Sequence, residues 1–322
     1  MWISQGTTLT ISLKRFDLLL SRDAEWTRRT STSAKDNHVA VTIFDGLDEI
    51  INAALKIDET WTYRGSPIDY ADKASLIRLQ KGLGQKNVDC GKLIDALFDH
   101  VNQTWNNFSG NDRVRRPSFQ NWRRVKNPDF DPGSTSDEVV LERTITQVTD
   151  GNWWNQIPVD QTLLGVRKGK VIDLVHRDGP EGRDFELVEL KTGGKYTPLS
   201  ATGQVLKYGI VYAFYRSRYR EFFDEDPAAE LLKSAQITLV VLAPWAFYKP
   251  FKKYDWLSQL EVSLDKALQK FAKCSESGLK EMGFKFQTFP NAFTWSAAMA
   301  NDERARKEVL WAVHNRVPVF TR

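Results

Sequence analysis

The amino-terminal part of the chain carries apolar residues at the three- and four-residue spacing of amphipathic helices. One apolar stripe runs from Ile43 to Leu55 and another from Leu93 to Trp105. Such periodicity is the main sequence signal for a helix. One or two strands are predicted before these helices, between Thr8 and Leu20. Residues 1–110 are therefore predicted to form a mainly helical region.

The middle of the chain alternates between helical and strand patterns. The residues Thr135 to Glu138 have the spacing of a capping box and open a predicted helix with an apolar stripe. The segments that follow it are strand-like runs at Gln161–Arg167, Lys170–Arg177 and Phe185–Lys191, a helix at Leu199–Tyr219, a short helix after Pro227 and an apolar strand at Ile237–Ala243. This order predicts an α/β fold around a central sheet.

These patterns divide the chain into four predicted parts. Residues 111–136 lose the periodicity and collect Gly, Pro, Asn and Asp, which indicates a linker after the helical region. Residues 137–245 form the predicted α/β core. Residues 246–322 contain two more amphipathic helices and are predicted to be an α/β extension that packs on the core.

Composition favours an ordinary globular protein. The chain has 322 residues, of which 41% are hydrophobic and 27% charged, and these values argue against disorder and fibrous repeats. Its longest apolar run, Ile237–Tyr248, contains a proline and is shorter than the roughly 20 residues that cross a bilayer. Two cysteines argue against a disulfide framework and a Cys/His zinc site. With no secretory signal pattern at the amino terminus, we expect a cytoplasmic protein with no membrane partner.

Two neighbouring predicted strands carry the residues with the clearest chemistry. Asp173 lies in the middle of one strand, and Glu189 and Lys191 share a face near the end of the next. Two carboxylates are costly to bury together unless a cation lies between them, and Mg²⁺ prefers such oxygen ligands. Glu142, at the border of the preceding helix's apolar stripe, adds a third acid. The alternative is a surface ion pair. His176 has the opposite strand parity to Asp173 and is not expected to be a ligand.

Three sequence motifs resemble, in order, those of the PD-(D/E)XK nuclease superfamily, and the third points to its RecB-like branch. The motifs are Gly169-Lys170-Val171-Ile172-Asp173, Glu189-Leu190-Lys191 and Gln204-Val205-Leu206-Lys207-Tyr208, within residues 134–244. The resemblance implies a restriction-endonuclease-like core of helix, three strands, helix and strand. The sequence departs from many RecB-like proteins in having no histidine between His100 and His176. Without that histidine to mark the helix acid, the nearby Glu138 is an alternative to Glu142.

The resemblance also implies a role for each motif residue. The implied ligands of Mg²⁺, for which Mn²⁺ would substitute, are Asp173, Glu189, the Leu190 carbonyl and the helix acid Glu142. Lys191 would orient or activate the attacking water, and Gln204 and Tyr208 would brace the site or touch DNA. The implied activity is metal-dependent hydrolysis of DNA phosphodiester bonds, in phage defence, mobile-element biology or DNA repair.

The predicted linker concentrates positive charge. Six basic residues lie within fourteen positions and alternate with Phe119 and Trp122, which suits phosphate contacts and base stacking. A solvated loop whose aromatic residues dock on the core is the alternative. The formal net charge of the whole chain is only +4, which permits nucleic-acid binding without requiring it. The basic residues are Arg113, Arg115, Arg116, Arg123, Arg124 and Lys126.

Two alternatives to a DNA nuclease stay open at this stage. One is a catalytically silent subunit that binds nucleic acid or scaffolds a complex, and the complete set of two acids and a lysine argues against it. The other is a nuclease directed at RNA. A protein partner in a multi-component system is a further expectation from the resemblance.

Overall fold

The computed structural model describes residues 41–55, 62–63, 66–67, 73–74, 76–77, 88–109, 122, 136–159, 162–164, 170–178, 184–193, 196–218, 230–252 and 255–320, all within the compact unit Val41–Arg322. The strands predicted between Thr8 and Leu20 lie outside these ranges. Strands β1 to β10 are Val41–Thr42, Thr62–Tyr63, Ser66–Pro67, Trp153–Pro158, Thr162–Leu164, Val171–Asp178, Asp184–Leu190, Gln236–Ala243, Glu281–Thr288 and Val317–Pro318. Helices α1 to α7 are Leu47–Ala54, Cys90–Ser109, Asp137–Val148, Pro198–Ser217, Trp245–Tyr248, Trp256–Cys274 and Glu303–His314.

A mixed six-stranded sheet has the order β10-β9-β8-β7-β6-β4. Strands β4, β6 and β7 pair antiparallel, whereas β7, β8 and β9 pair parallel. Parallel neighbours need long crossover connections, and α4 and α6 lie in the two crossovers. The predicted α/β class is confirmed. Strands β9 and β10 belong to this same sheet, so the segment predicted as an extension supplies two of its strands.

The predicted first strand of the central sheet is wrong. Residues Thr162–Leu164 do form a strand, but it pairs with Val41–Thr42 in a separate two-stranded sheet. Trp153–Pro158 takes the predicted place, antiparallel to β6. Four of its six residues are buried, so it lacks the alternation that marks a half-buried strand. Its backbone also has a positive φ of 53° at Gln156.

The sheet separates two apolar cores. Along β8, Leu239 and Val241 belong to the larger core, whereas Val240 and Leu242 belong to the smaller one. Helices α1, α2, α4 and α6 contribute to the larger core, and α3 and α7 to the smaller one. The described chain therefore has a helix–sheet–helix arrangement, with α3 on the opposite side of the sheet from α4.

Helix α4 is apolar on nearly all sides because it lies between the sheet and α2. A Cβ atom on Gly209 would lie 2.6 Å from Leu239 and 2.7 Å from Met282, so the glycine permits this close packing. None of the helices in the described ranges combines the length and apolar composition needed to cross a bilayer.

Two acids of α6 bind the edge of the sheet. Glu261 Oε2 accepts the backbone N–H of Phe286 at 2.9 Å, and Asp265 Oδ1 accepts that of Phe284 at 3.0 Å. Strand β10 pairs with only the last two residues of β9. The carboxylates therefore satisfy buried backbone donors that β10 does not reach.

A buried ion cluster lies near the start of β7. The carboxylate of Glu186, which is 2% exposed, contacts His176 Nδ1 at 2.8 Å, Arg316 Nη2 at 2.5 Å and Lys285 Nζ at 2.5 Å. The His176 ring also stacks on Trp153 at 4.4 Å. His176 thus belongs to this cluster, in agreement with its strand parity. Burial alone would raise the pKa of Glu186, but the three basic neighbours lower it to about 2.

We predict that Glu186→Gln destabilises the protein at pH 7 by roughly 3 kcal/mol, because each pKa unit corresponds to about 1.4 kcal/mol. A carboxyl group whose pKa falls on folding stabilises the protein above its unfolded pKa. That stabilisation disappears as the pH falls from about 4.5 to about 2. Urea unfolding at several pH values should therefore show the difference shrinking with acid. The exposed Glu276→Gln is the control, and equal stability of Glu186→Gln and wild type at pH 7 would contradict the prediction.

Candidate metal centre

A side-chain hydrogen bond joins the middle of β6 to the end of β7. The paired register of the two strands ends at Leu174 and Val188. Beyond it, the backbone N–H of Leu190 donates to Asp173 Oδ2 at 3.0 Å, and the N–H of Lys191 donates to β8 at 2.9 Å. Asp173 therefore replaces a backbone acceptor, and its carboxylate is held beside the end of β7.

The ammonium group of Lys191 lies at the centre of the site. Its Nζ lies 2.7 Å from Glu189 Oε1, 2.9 Å from Glu138 Oε1 and 3.7 Å from Asp173 Oδ2. It also donates to the Leu190 carbonyl at 2.9 Å. Glu189 is 1% exposed and Lys191 2% exposed, so they are not a surface ion pair. The structure thus brings together both predicted strand acids, the lysine and the predicted carbonyl.

A second group of acids shares Asp173. Glu138, Glu142 and Asp173 each place one carboxylate oxygen within 4.8 Å of the others, and this group could hold a metal ion. Glu142, on α3, also accepts a hydrogen bond from Gln156 Nε2. Gln156 was not predicted from the sequence, and Glu138 was considered only as a neighbouring acid to Glu142. The four-residue spacing of Glu138 and Glu142, which places both on one helix face, is the signal that could have identified Glu138.

The site contains more acidic groups than basic groups. Burial raises the pKa of Glu142 and of Glu189, and the nearby Asp173 carboxylate raises both further. Burial also raises the pKa of Asp173. For Lys191, burial would lower the pKa, but the surrounding carboxylates raise it well above its ordinary value. Within the described residues, the buried Glu189 Oε2 has no hydrogen-bond partner. One ammonium group is therefore insufficient to neutralise these acids.

The carboxy-terminal segment fixes the start of α3. The carbonyl of Asp137 accepts the indole N–H of Trp295 at 3.0 Å, and its carboxylate accepts the N–H of Ala297 at 2.6 Å. The predicted capping box is not formed, because Ser136 is the N-cap residue and makes no side-chain cap hydrogen bond. The Glu138 carboxylate, which a capping box would turn towards the backbone, instead binds Lys191.

Of the two predicted residues of α4, Tyr208 belongs to the larger core. The Tyr208 ring is 7% exposed and packs edge-to-face against Phe44, with the ring centroids 5.9 Å apart. Gln204 lies one turn before Tyr208, and its buried Oε1 has no hydrogen-bond partner among the residues that the structure covers. Core packing thus accounts for Tyr208, while Gln204 retains an unused acceptor.

The basic residues of the predicted linker, Arg113, Arg115, Arg116, Arg123, Arg124 and Lys126, lie outside the described residues. Trp122, between them, is fully buried and packs against Tyr212 and Tyr215 at 5.5 and 5.6 Å between ring centroids. Its backbone N–H donates to the Pro158 carbonyl at 2.9 Å. Of the two alternatives for the aromatic residues of this segment, docking on the core is the one that Trp122 follows.

No model of a protein family, no curated protein and no solved structure matches this chain. Because function resides in sites rather than in folds, it must be inferred from the side chains themselves. The feature that a function has to explain is a buried group of carboxylates around a single ammonium group.

We predict that Glu142→Gln changes the pH dependence of stability in the presence of a chelator. A carboxyl group whose pKa is raised on folding stays protonated in the folded protein at pH values at which it is already ionised in the unfolded chain. The folded protein therefore loses stability as the pH rises above the ordinary carboxyl range. Glu142→Gln has no such carboxyl group, so it does not lose stability in this way. Its stability relative to wild type should increase by at least about 1 kcal/mol between pH 5 and pH 8 in urea unfolding. If the free energies of unfolding of wild type and Glu142→Gln changed in parallel with pH, the prediction would be contradicted. The exposed Glu281→Gln is the control.

Proposed function

We propose that this protein is a Mg²⁺-dependent nuclease that hydrolyses phosphodiester bonds of DNA. The observation that carries the proposal is the arrangement of Asp173, Glu189 and the Leu190 carbonyl around the Lys191 ammonium group. These are the acid, acid and lysine positions of the PD-(D/E)XK motifs that the sequence resembles. All of them lie at one buried point where β6 and β7 meet.

The order of elements supports the same assignment. Helix α3, strands β4, β6 and β7, helix α4 and strand β8 follow one another along the chain. The resemblance implies the same order of helix, three strands, helix and strand for a restriction-endonuclease-like core, when the short β5 of the separate sheet is set aside. The acids come from the two central antiparallel strands and from the helix that precedes them.

The donor set suits a hard divalent cation. All donors are oxygen atoms, which Mg²⁺ prefers. Asp173, Glu189 and the Leu190 carbonyl already surround one positive charge, and the buried Glu189 Oε2 lacks a partner within the described residues. These three groups would hold the ion, with Glu138 and Glu142 as the further carboxylates grouped with Asp173.

The proposed chemistry assigns Lys191 an electrostatic role. A bound divalent cation would stabilise the negative charge that builds on the phosphate and on the leaving oxygen. Lys191 stays protonated because the carboxylates around it overcome the effect of burial on its pKa. Its ammonium group therefore donates hydrogen bonds to the attacking water or the phosphate, and does not accept a proton.

We predict that Asp173→Asn and Glu189→Gln each lower DNA cleavage by at least about 100-fold, because each removes a charge from the ion's ligands. The amide introduced by Asp173→Asn retains an oxygen that can accept the Leu190 N–H, so the fold should be kept. Linear, circular and single-stranded DNA and RNA, each with Mg²⁺, Mn²⁺ or chelator, form the assay. The matched control is Asp178→Asn, an exposed carboxylate at the other end of β6. Wild-type levels of cleavage by either variant would refute the assignment.

We predict that Lys191→Met separates metal binding from turnover. The variant loses the positive charge that competes for Glu189 and the Leu190 carbonyl, so Mn²⁺ affinity should be kept or raised. Turnover should fall by about 100-fold or more, as expected for the loss of one electrostatic stabiliser. Calorimetric titration and cleavage on one preparation measure both quantities, with the exposed Lys280→Met as control. A folded variant that no longer binds Mn²⁺ would contradict the expected affinity. A variant with wild-type turnover would contradict the proposed role of the lysine.

A further inference from the structure

Tyr196 is an exposed aromatic residue next to the acid centre. Its ring centroid is 5.1 Å from Lys191 Nζ, and the residue is 39% exposed, whereas Lys191 is 2% exposed. The side chains of Asp173 and Glu138 are 15% and 22% exposed, so the centre is partly open on the side of these two acids. The two partly exposed acids and the exposed ring therefore all lie close to the Lys191 ammonium group.

The backbone on the two sides of Tyr196 differs. The next residue, Thr197, is fully buried, and its Oγ1 caps α4 by accepting the N–H of Ser200 at 3.0 Å. On the preceding side, Gly193 has a φ of +135° and open space where a side chain would be. The ring is therefore attached to a fixed helix start.

We propose, on the basis of the nuclease function proposed above, that Tyr196 is the stacking platform for a nucleobase next to the phosphate that is cleaved. An aromatic face attracts both a cation and a base, and stacking tolerates any base. Lys191 lies on one side of this contact and draws the phosphate. Tyr196 holds the base that belongs to the same stretch of backbone. The platform contributes to substrate binding and not to the bond-breaking step.

Binding of fluorescein-labelled oligonucleotides to the full-length chain, in Ca²⁺, tests this role. We expect Tyr196→Ala to weaken binding by about 5- to 100-fold, the range for loss of one stacked base, and Tyr196→Phe to change it by less than about twofold. Single- and double-stranded forms are both used, each also with one abasic nucleotide moved along the strand. The control is Trp311→Ala, which removes an aromatic residue that is 50% exposed on α7.

The abasic series distinguishes stacking from a merely structural role. At one abasic position, the affinity of wild type should fall by the same factor that Tyr196→Ala causes with the intact oligonucleotide. The affinity of Tyr196→Ala itself should not fall further at that position. Unchanged binding by Tyr196→Ala, or an equal additional loss at every abasic position in both proteins, would overturn the inference, as would failure of wild type to bind any oligonucleotide.

Cleavage in Mg²⁺ is scored separately for the same proteins. Binding that depends on Tyr196 without cleavage by wild type would refute the proposed nuclease and leave the platform standing. If wild type cleaves DNA and Tyr196→Ala has the same KM and kcat as wild type, the stacking platform alone is refuted. We expect Tyr196→Ala to have a higher KM than wild type and the same kcat at saturating substrate.

Discussion

One ammonium group buried among carboxylates organises the centre of this protein. Lys191 joins the end of β7 to α3 through Glu138, while its backbone N–H is bonded to β8. Removing the lysine would leave several acids buried without a counter-charge, which is far more costly than leaving a complete ion pair in place. The position of α3 on the sheet therefore depends on this charge as well as on apolar packing.

Two glutamates of β7 show how environment decides the state of a buried carboxylate. Glu186 and Glu189 are three positions apart and almost equally buried. Glu186 contacts three basic groups, and its pKa is lowered to about 2. Glu189 shares a single ammonium group with other acids, and its pKa is raised. The first is surrounded by basic groups and serves the fold, whereas the second has an oxygen atom, Oε2, that finds no hydrogen-bond partner among the described residues.

The sequence was sufficient to predict the α/β class and the adjacency of Asp173 and Glu189. The order of elements determines the class. Strand parity determines the adjacency, because side chains that lie on the same face of two paired strands are neighbours. It was not sufficient for the first strand, since Trp153–Pro158 is mostly buried and has no alternation. The sequence also left two alternatives open for Trp122, because its charged neighbours do not indicate whether its own ring is buried.

The contribution of Glu138 to the centre depends on tertiary structure. Its place beside Lys191 follows from the anchoring of Asp137 by the segment around Trp295, more than 150 residues later in the chain. No local pattern near Glu138 contains that information. A helix face with two acids is common on protein surfaces, and only the packing of α3 against the sheet turns this face inward.

The carboxylates of Glu261 and Asp265 have a consequence for association between chains. Strand edges with free N–H groups are templates on which another chain can add a strand and begin to aggregate. Along β9 the donors of Phe284 and Phe286 are already occupied by charged acceptors from a covering helix. An incoming strand would have to displace α6 and expose two buried carboxylates. Helix α6 thus protects this side of the sheet from edge-to-edge polymerisation while the molecule is folded.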